Sequence, residues 1–158
     1  PEPNIEDLRR DRLAAPGLND AEVLEFSTEI ITATVTFDAR NFHNQLASIR
    51  PYFTPDGWTL FNRTLARLDV LNMMQTGRFT VTPELQGEPF IQAKGVEAAI
   101  YQWRVIVPIM LVLESADRSL ERQMTAHARL VRRPLAEHPD GIAIESLNFL
   151  PNESTGQL

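Results

Sequence analysis

Residues 99–114 read AIYQWRVIVPIMLVLE, and this stretch decides the fold. Its odd-numbered positions form an unbroken apolar series: Tyr101, Trp103, Val105, Val107, Ile109, Leu111 and Leu113. Successive side chains of a β-strand point to opposite faces of the sheet, so this alternation predicts one long strand from Ala99 to Glu114. The face with the apolar series must lie on the core.

The opposite face of the same stretch changes character along its length. It begins with polar residues and becomes apolar, in the order Gln102, Arg104, Ile106, Pro108, Met110 and Val112. A sheet face in water is normally polar, so we expect either a bend of the sheet or a protein partner to cover the apolar part. The candidate interface residues are therefore Ile106, Met110 and Val112. Pro108 cannot donate a backbone hydrogen bond, which predicts an edge or a bulge at that position.

Shorter alternating segments flank the long strand on both sides. They predict strands over residues 78–84, 90–97, 120–132 and 142–150, joined by turns rich in glycine, proline and polar residues. Gly95 is the expected site of a bulge or of a close backbone approach in the second strand. In the last strand, the apolar positions shift from Ile142 and Ile144 to Leu147 and Phe149, which predicts a second bulge.

Before Gly77 the apolar residues recur with helical spacing instead. Asn19 or Asp20, with Glu22 placed for a capping box, predicts a helix over about residues 20–36. Asp38 is the expected N-cap of a second helix, whose apolar face carries Phe42, Leu46 and Ile49. Thr54-Pro55-Asp56 predicts the start of a third helix, and Val70 to Met74 a further short turn or helix.

The order of these elements predicts an α+β domain, with N-terminal helices packed on a curved antiparallel sheet. Residues 1–18 are highly charged and contain three prolines, so we interpret them as a tether. Residues 19–151 form the predicted domain, and residues 152–158 a disordered tail. The sequence begins at Pro1, which suggests a fragment or a processed form.

Composition excludes several classes of function. The 158 residues carry a net charge of -6, which gives no basic surface for nucleic acid. Cysteine is absent, so disulfides, thiol catalysis and cysteine-based metal sites are excluded. The longest apolar run, Val105 to Leu113, is about half of what a membrane-spanning helix needs. The three histidines have no metal-binding spacing, and no phosphate loop or serine nucleophile motif occurs.

One enzymatic alternative stays open at this stage. A pocket between the helices and the curved sheet could hold an acid such as Asp38 or Asp69 beside Tyr101, and so transfer protons or bind a small molecule. The same residues are explained more simply as helix caps and an inward aromatic residue. The aromatic cluster Tyr52, Phe53, Trp58 and Phe61 has the spacing of a core rather than of a ligand site.

Two motifs resemble the DotI/IcmL family of type IV secretion components and its plasmid-conjugation relatives, called TraM. The first runs from Thr36-Phe37-Asp38 through the segment NFHNQL at residues 41–46, Arg50 and YFT at residues 52–54, to Gly57-Trp58 and Phe61. The second is VRRP at residues 131–134, followed by PDGIAI at residues 139–144. His138 stands where the family often has asparagine. The resemblance covers about residues 20–150.

The resemblance implies a structural scaffold subunit rather than an enzyme, with the fold of nuclear transport factor 2, also described as cystatin-like. It implies a short cytoplasmic start, one membrane span upstream of this sequence, and a domain on the periplasmic side of the bacterial inner membrane. The implied partners are further copies of the chain and other subunits of a secretion or conjugation machine, with no cofactor, metal or catalytic residue. Structural roles are implied for Phe53, Gly57, Trp58, Phe61 and Gly141. Whether the cargo is DNA or protein stays open.

Overall fold

A computed structural model describes residues 12–68, 72 and 79–151. Several predicted features lie outside these residues. They are Asp69, the short helix at Val70 to Met74 except for Asn72, the first residue of the strand 78–84, and the tail 152–158. The helices whose bounds lie within the described residues are α1 (Asp20–Thr34), α2 (Phe42–Ile49) and α3 (Pro55–Arg67), with a one-turn 3-10 helix at Arg50–Tyr52. The strands are β1 (Phe37–Asp38), β2 (Thr80–Leu85), β3 (Phe90–Glu97), β4 (Ile100–Glu114), β5 (Ser119–Arg132) and β6 (Ile142–Pro151).

Side-chain caps determine where two of the helices begin. Asn19 accepts a hydrogen bond from the Glu22 backbone N–H at 2.8 Å, and Glu22 accepts one from the Asn19 N–H at 2.9 Å. This reciprocal pair is the predicted capping box. Thr54 caps α3 in the same manner by accepting from the N–H of Gly57.

Replacing Asn19 with alanine should therefore lower the free energy of unfolding by about 1 kcal/mol. The matched control is Asn41→Ala, because Asn41 occupies the N-cap position of α2 but makes no side-chain capping bond there. Urea unfolding monitored by circular dichroism compares the two variants. An equal loss of stability in both would show that the capping bond of Asn19 contributes nothing.

The predicted role of Asp38 is wrong. Helix α2 starts at Phe42, three residues later than an N-cap at Asp38 requires, and Asp38 lies in β1. Its carboxylate accepts a hydrogen bond from the Arg40 N–H at 2.7 Å, forming a local turn. Strand β1 pairs with β2, an interaction that a two-residue strand does not reveal in the sequence.

All strand pairs are antiparallel, and the sheet is built around β4. The strand order is β1, β2, β4, β5 and β6, and β3 pairs with the part of β4 that β2 leaves free. Thus β2 accompanies β4 from Ile109 to Glu114, and β3 accompanies it from Ile100 to Ile106. The predicted α+β class, with helices on an antiparallel sheet, is confirmed.

Pro108 lies in the gap between these two partner strands. Its carbonyl accepts a hydrogen bond from Gln86 in the connection between β2 and β3, at 3.0 Å. The backbone nitrogen and carbonyl of one strand residue point to the same side, so the missing N–H of Pro108 faces the interruption in pairing. Proline is therefore accepted in the middle of the longest strand without loss of a ladder bond.

Two register shifts bend the sheet. The pairing of β3 with β4 shifts between Ile91 and Ala93, so the bulge predicted at Gly95 is instead at Gln92. A β-carbon at Gly95 would meet nothing within 4 Å, so no close approach exists there either. The predicted bulge in β6 is confirmed: Arg129 pairs with Ser146 and Leu130 with Ile144, which leaves Glu145 as the extra residue.

The core fills the space between the helices and one face of the sheet. The predicted inward series on β4 is buried at Trp103, Val105, Val107, Ile109 and Leu113, while Tyr101 and Leu111 pack at its margin. Helix α1 contributes Val23, Ile30 and Ile31. On the surface, Lys94 of β3 forms an ion pair with Asp20 of α1 at 2.9 Å, and this hydrogen bond raises the pKa of Lys94.

Candidate interaction surface

The sheet face that points away from the helices, hereafter the outer face, carries the three predicted interface residues. Met110 and Val112 are half-buried there, whereas Ile106 is only 6% exposed. Ile106 lies between Phe90 of β3 and His127 of β5 in the strand register. The chain itself therefore covers most of Ile106, and Met110 and Val112 are the members of the predicted set that remain available for contact.

The connection between β2 and β3 covers a further part of this face. Gly87 lies over Pro108, and a β-carbon at Gly87 would make an ordinary contact of 3.5 Å with Cγ of the proline. The sequence analysis expected a bend of the sheet or a protein partner as the cover, but for Ile106 and Pro108 the cover is neighbouring strands and this connection of the same chain. The chain leaves an apolar strip beyond them.

Two large apolar side chains that the sequence analysis did not select extend this strip. Phe90 is 49% exposed, and Leu150 is 48% exposed. Phe90 pairs with Ile106, and Leu150 pairs with Thr125, so both project from the outer face. The faces on which these two residues lie depend on the bulges in β3 and β6, and the sequence analysis predicted the bulge in β3 at the wrong residue. The outer apolar strip thus consists of Phe90, Met110, Val112 and Leu150.

Charged residues stand at both ends of the strip. Arg104 and Arg129 are direct cross-strand neighbours at one end. At the other end, Glu84 pairs with Met110, Glu121 with Val112, and Glu114 with Ser119. A cavity of about 230 Å³ opens at the arginine end, lined by both arginines and by the polar side chains of Gln92, His127, Ser146 and Asn148.

The resemblance motif around α3 joins that helix to β6. Phe53 and Phe61 are buried, with ring centroids 5.1 Å apart, and half-buried Trp58 packs on both rings. A β-carbon at Gly57 would overlap the carbonyl oxygen of Ile144, so the helix reaches β6 only through glycine. The Thr54 N–H donates to the same carbonyl at 3.0 Å.

Arg132 is a residue whose role the sequence analysis missed. Its side chain is fully buried, and it donates to the carbonyls of Gly141, Arg12 and Ala15 at 2.8, 3.2 and 2.8 Å. Gly141 has a φ of +74°, a conformation that favours glycine, and its turn brings this carbonyl to the guanidinium. Two signals in the sequence pointed to it: its place in the VRRP motif, and the alternation of β5, in which Arg132 falls on the same face as buried Ala128 and Leu130.

Residues 12–18, which belong to the predicted tether, are packed on the domain. Arg132 holds this segment at two carbonyls, and the Tyr101 N–H donates to the Leu13 carbonyl at 2.7 Å. A β-carbon on Gly17 would overlap the guanidinium of Arg132. At least this part of the predicted tether is therefore attached to the ends of β4 and β5; residues 1–11 lie outside the description.

Two candidates of the enzymatic alternative, Asp38 and Tyr101, make other contacts, and the third, Asp69, lies outside the described residues. The carboxylate of Asp38 accepts a hydrogen bond within its own turn, and the ring of Tyr101 packs at a tilt against Trp103 with ring centroids 4.9 Å apart. Exposed His43 packs against the ring of Phe42, and His138 contacts the Pro51 carbonyl at 3.0 Å. Within the described parts of the chain, no group of three or more histidine, aspartate or glutamate residues could hold a metal ion.

Comparison with solved structures identifies relatives of this fold. The periplasmic domain of DotI is 25% identical, with a TM-score of 0.83 over 85% of this chain and 97% of that one. A periplasmic fragment of TraM is 16% identical, with a TM-score of 0.78 over 84% and 97%. An IcmL-like type IV secretion protein from Legionella pneumophila is 21% identical, with a TM-score of 0.77 over 89% and 99%. No curated protein matches the sequence.

These structures define the class of the protein. It is an α+β domain of the nuclear-transport-factor-2-like type, with helices on a curled antiparallel sheet, as the resemblance implied. Residues 10–150 match the family model described as type IV b secretion system, inner-membrane complex component. The chain belongs to this family, DotI/IcmL, whose members are structural subunits and not enzymes. Other subunits of a secretion machine are therefore among its partners. No helix in the described residues is long and apolar enough to span a membrane.

Proposed function

We propose that this chain is the periplasmic part of a scaffold subunit, which self-associates and contacts neighbouring subunits through the outer face of its sheet. The observation that carries this proposal is the outer apolar strip. Phe90 and Leu150 are each about half exposed on a face where Met110 and Val112 are also partly open. Apolar residues grouped on one surface are typical of protein contacts.

The family supports the location that we propose for the domain. Membership in a group of inner-membrane complex components is consistent with one transmembrane helix upstream of this sequence and a domain on the periplasmic side. The net charge of -6 favours protein partners over nucleic acid. The roles that we propose for Phe53, Gly57, Trp58, Phe61 and Gly141 are architectural, since they join α3 and the last turn to the sheet.

Replacing Met110 with aspartate tests the contact, because a carboxylate would be desolvated at the centre of the interface. We expect at least a tenfold weaker self-association, which corresponds to about 1.4 kcal/mol, and a loss of copurification with other subunits from membranes. Ile106→Asp is a poorer test, since Ile106 is buried and the variant would lose stability for that reason alone. Analytical ultracentrifugation over a concentration series measures the association.

The matched control for Met110→Asp is Leu60→Asp. Leu60 is an exposed apolar residue on α3, so it receives the same change of charge and polarity away from the outer face. Circular dichroism establishes that both variants are folded. Unchanged association and copurification in a folded Met110→Asp variant would rule out the outer apolar strip as the contact surface.

A further inference from the structure

The charges on the outer face are separated by sign along the strands. Arg104 and Arg129 lie at one end, with His127 one row closer to the centre, and Glu84, Glu114 and Glu121 lie at the other. Glu97 is an additional acid at the outermost edge of the arginine end, where β3 pairs with Ile100. The face therefore has a basic end and an acidic end with the outer apolar strip between them.

The arrangement of Arg104 and Arg129 lowers the stability of the isolated domain. Like charges directly opposite each other on neighbouring strands are destabilising. Arg129 donates to the amide oxygen of Gln102 at 2.9 Å, and within the part of the chain that the structure describes neither arginine forms an ion pair. The polar side chains of Ser146 and Asn148 line the same cavity. An incoming carboxylate would relieve the repulsion and occupy this cavity.

The strand register places Arg129 and Glu121 at equal distances from a central row, while Glu84 lies one row and Glu114 three rows from it. Thr125 lies four positions from Arg129 and four positions from Glu121 on β5. Pro108 is the partner of Thr125 on β4. It lies four positions from Arg104 and four positions from Val112, which pairs with Glu121. A twofold axis that crosses the strands at the Pro108–Thr125 row therefore sets the basic end of one copy over the acidic end of another.

We propose that the outer face pairs with the same face of a second copy, in antiparallel orientation about this row, so that the arginine cavity of each copy receives acidic side chains of the other. This inference rests on the proposed self-association and specifies its geometry. The pairing is isologous, as in most twofold dimers. It brings the two strips into contact, because Leu150 belongs to the central row and Phe90 and Met110 lie one row away on either side.

Two charge-reversed variants test the orientation. Arg104→Glu with Arg129→Glu makes both ends of the face acidic, and Glu84→Arg with Glu121→Arg makes both ends basic. Each variant alone should lose self-association by at least tenfold, because like charges meet at both ends. In an equimolar mixture every contact is between opposite charges, so mixed dimers should form with an affinity within about threefold of the original.

A third variant separates this contact from general attraction between oppositely charged molecules. Glu25→Arg with Glu29→Arg changes the net charge as much as the basic-faced variant does, at exposed positions of α1. It should self-associate normally and should not rescue the acidic-faced variant. If Arg129→Glu impairs folding, Arg104→Glu alone, at an exposed position, serves in its place.

A cross-linking experiment gives a second measurement of the geometry. The chain contains no cysteine, so Thr125→Cys provides a single thiol in the central row. A short bis-maleimide should join two such chains, whereas Ser119→Cys, six positions from Thr125 along β5, should give no dimer. Cross-linking at Ser119 and not at Thr125 would overturn the proposed axis.

The outcomes separate this inference from the proposed function. Self-association that all charge reversals leave unchanged overturns the antiparallel pairing but leaves the scaffold role intact. A chain that stays monomeric at every concentration overturns both the self-association and the pairing. Loss of copurification in the acidic-faced variant of such a monomer would assign the arginine cavity to a carboxylate of a different subunit.

Discussion

Replacing Gly57 with alanine should destabilise the domain by about 3 kcal/mol, the upper end for overpacking in a core. The added methyl group would overlap the carbonyl oxygen of Ile144 and approach the Glu145 backbone. That carbonyl also accepts the Thr54 N–H at 3.0 Å, and β6 is held in place by pairing with β5. Neither backbone can move independently, so the overlap outweighs the roughly 1 kcal/mol by which alanine is preferred over glycine inside a helix.

Gly87→Ala is the control for this experiment. Its β-carbon would make an ordinary contact of 3.5 Å with Pro108, and we expect a change below about 0.5 kcal/mol. Urea unfolding followed by circular dichroism and tryptophan fluorescence measures both variants, and Trp58 next to Gly57 reports on the packing of α3. A Gly57→Ala variant as stable as the original chain would mean that α3 does not need this close approach to β6.

The second large effect is expected for Arg132→Met, which should cost about 3 kcal/mol or more. The charged guanidinium donates to three backbone carbonyls from a fully buried position, and methionine fills part of its volume without any donor. The carbonyls of Arg12 and Ala15 would lose their bonds to the side chain. We therefore expect residues 12–17 to detach, which hydrogen exchange measured by mass spectrometry detects as faster exchange at the Tyr101 amide.

Arg133→Met is the matched control, since it makes the same substitution at the next residue. Arg133 forms an ion pair with Glu137 at 2.9 Å, four residues away and partly exposed, and such pairs contribute about 0–1 kcal/mol. We expect little loss of stability and unchanged exchange at Tyr101. If Arg132→Met behaved like this control, the N-terminal segment would be held by contacts other than the buried arginine.

The sequence predicts the fold well where the pattern is long. The alternation on β4 spans seven inward positions, and the Thr54 and Asn19 caps identify the starts of α3 and α1. Asp38 misled the prediction because an aspartate before a helix and an aspartate in a tight turn look alike when read locally. The pairing of β1 with β2 depends on residues more than forty positions apart, which no local pattern reports.

The candidate surface was predicted only in part, for the same reason. The apolar series on the outer face is visible in the sequence, but the burial of Ile106 depends on the register of β3, which the bulge at Gln92 determines. Phe90 and Leu150 share a face with Met110 and Val112 only after β3, β5 and β6 have been aligned with β4. Arg132 and Arg133 are also indistinguishable by residue type; Arg132 continues the buried face of β5, and its bonds to the carbonyls of Arg12 and Ala15 join residues far apart in the sequence.

The attachment of residues 12–18 also fixes where the described chain enters the domain. Because Arg132 and the Tyr101 amide hold this segment, the entry point is at the basic end of the outer face. In an antiparallel pair the two entry points then lie at opposite extremes. If the proposed pair is anchored in one bilayer with its twofold axis along the membrane normal, the long strands lie parallel to the lipid surface and both entry points stand at the same height.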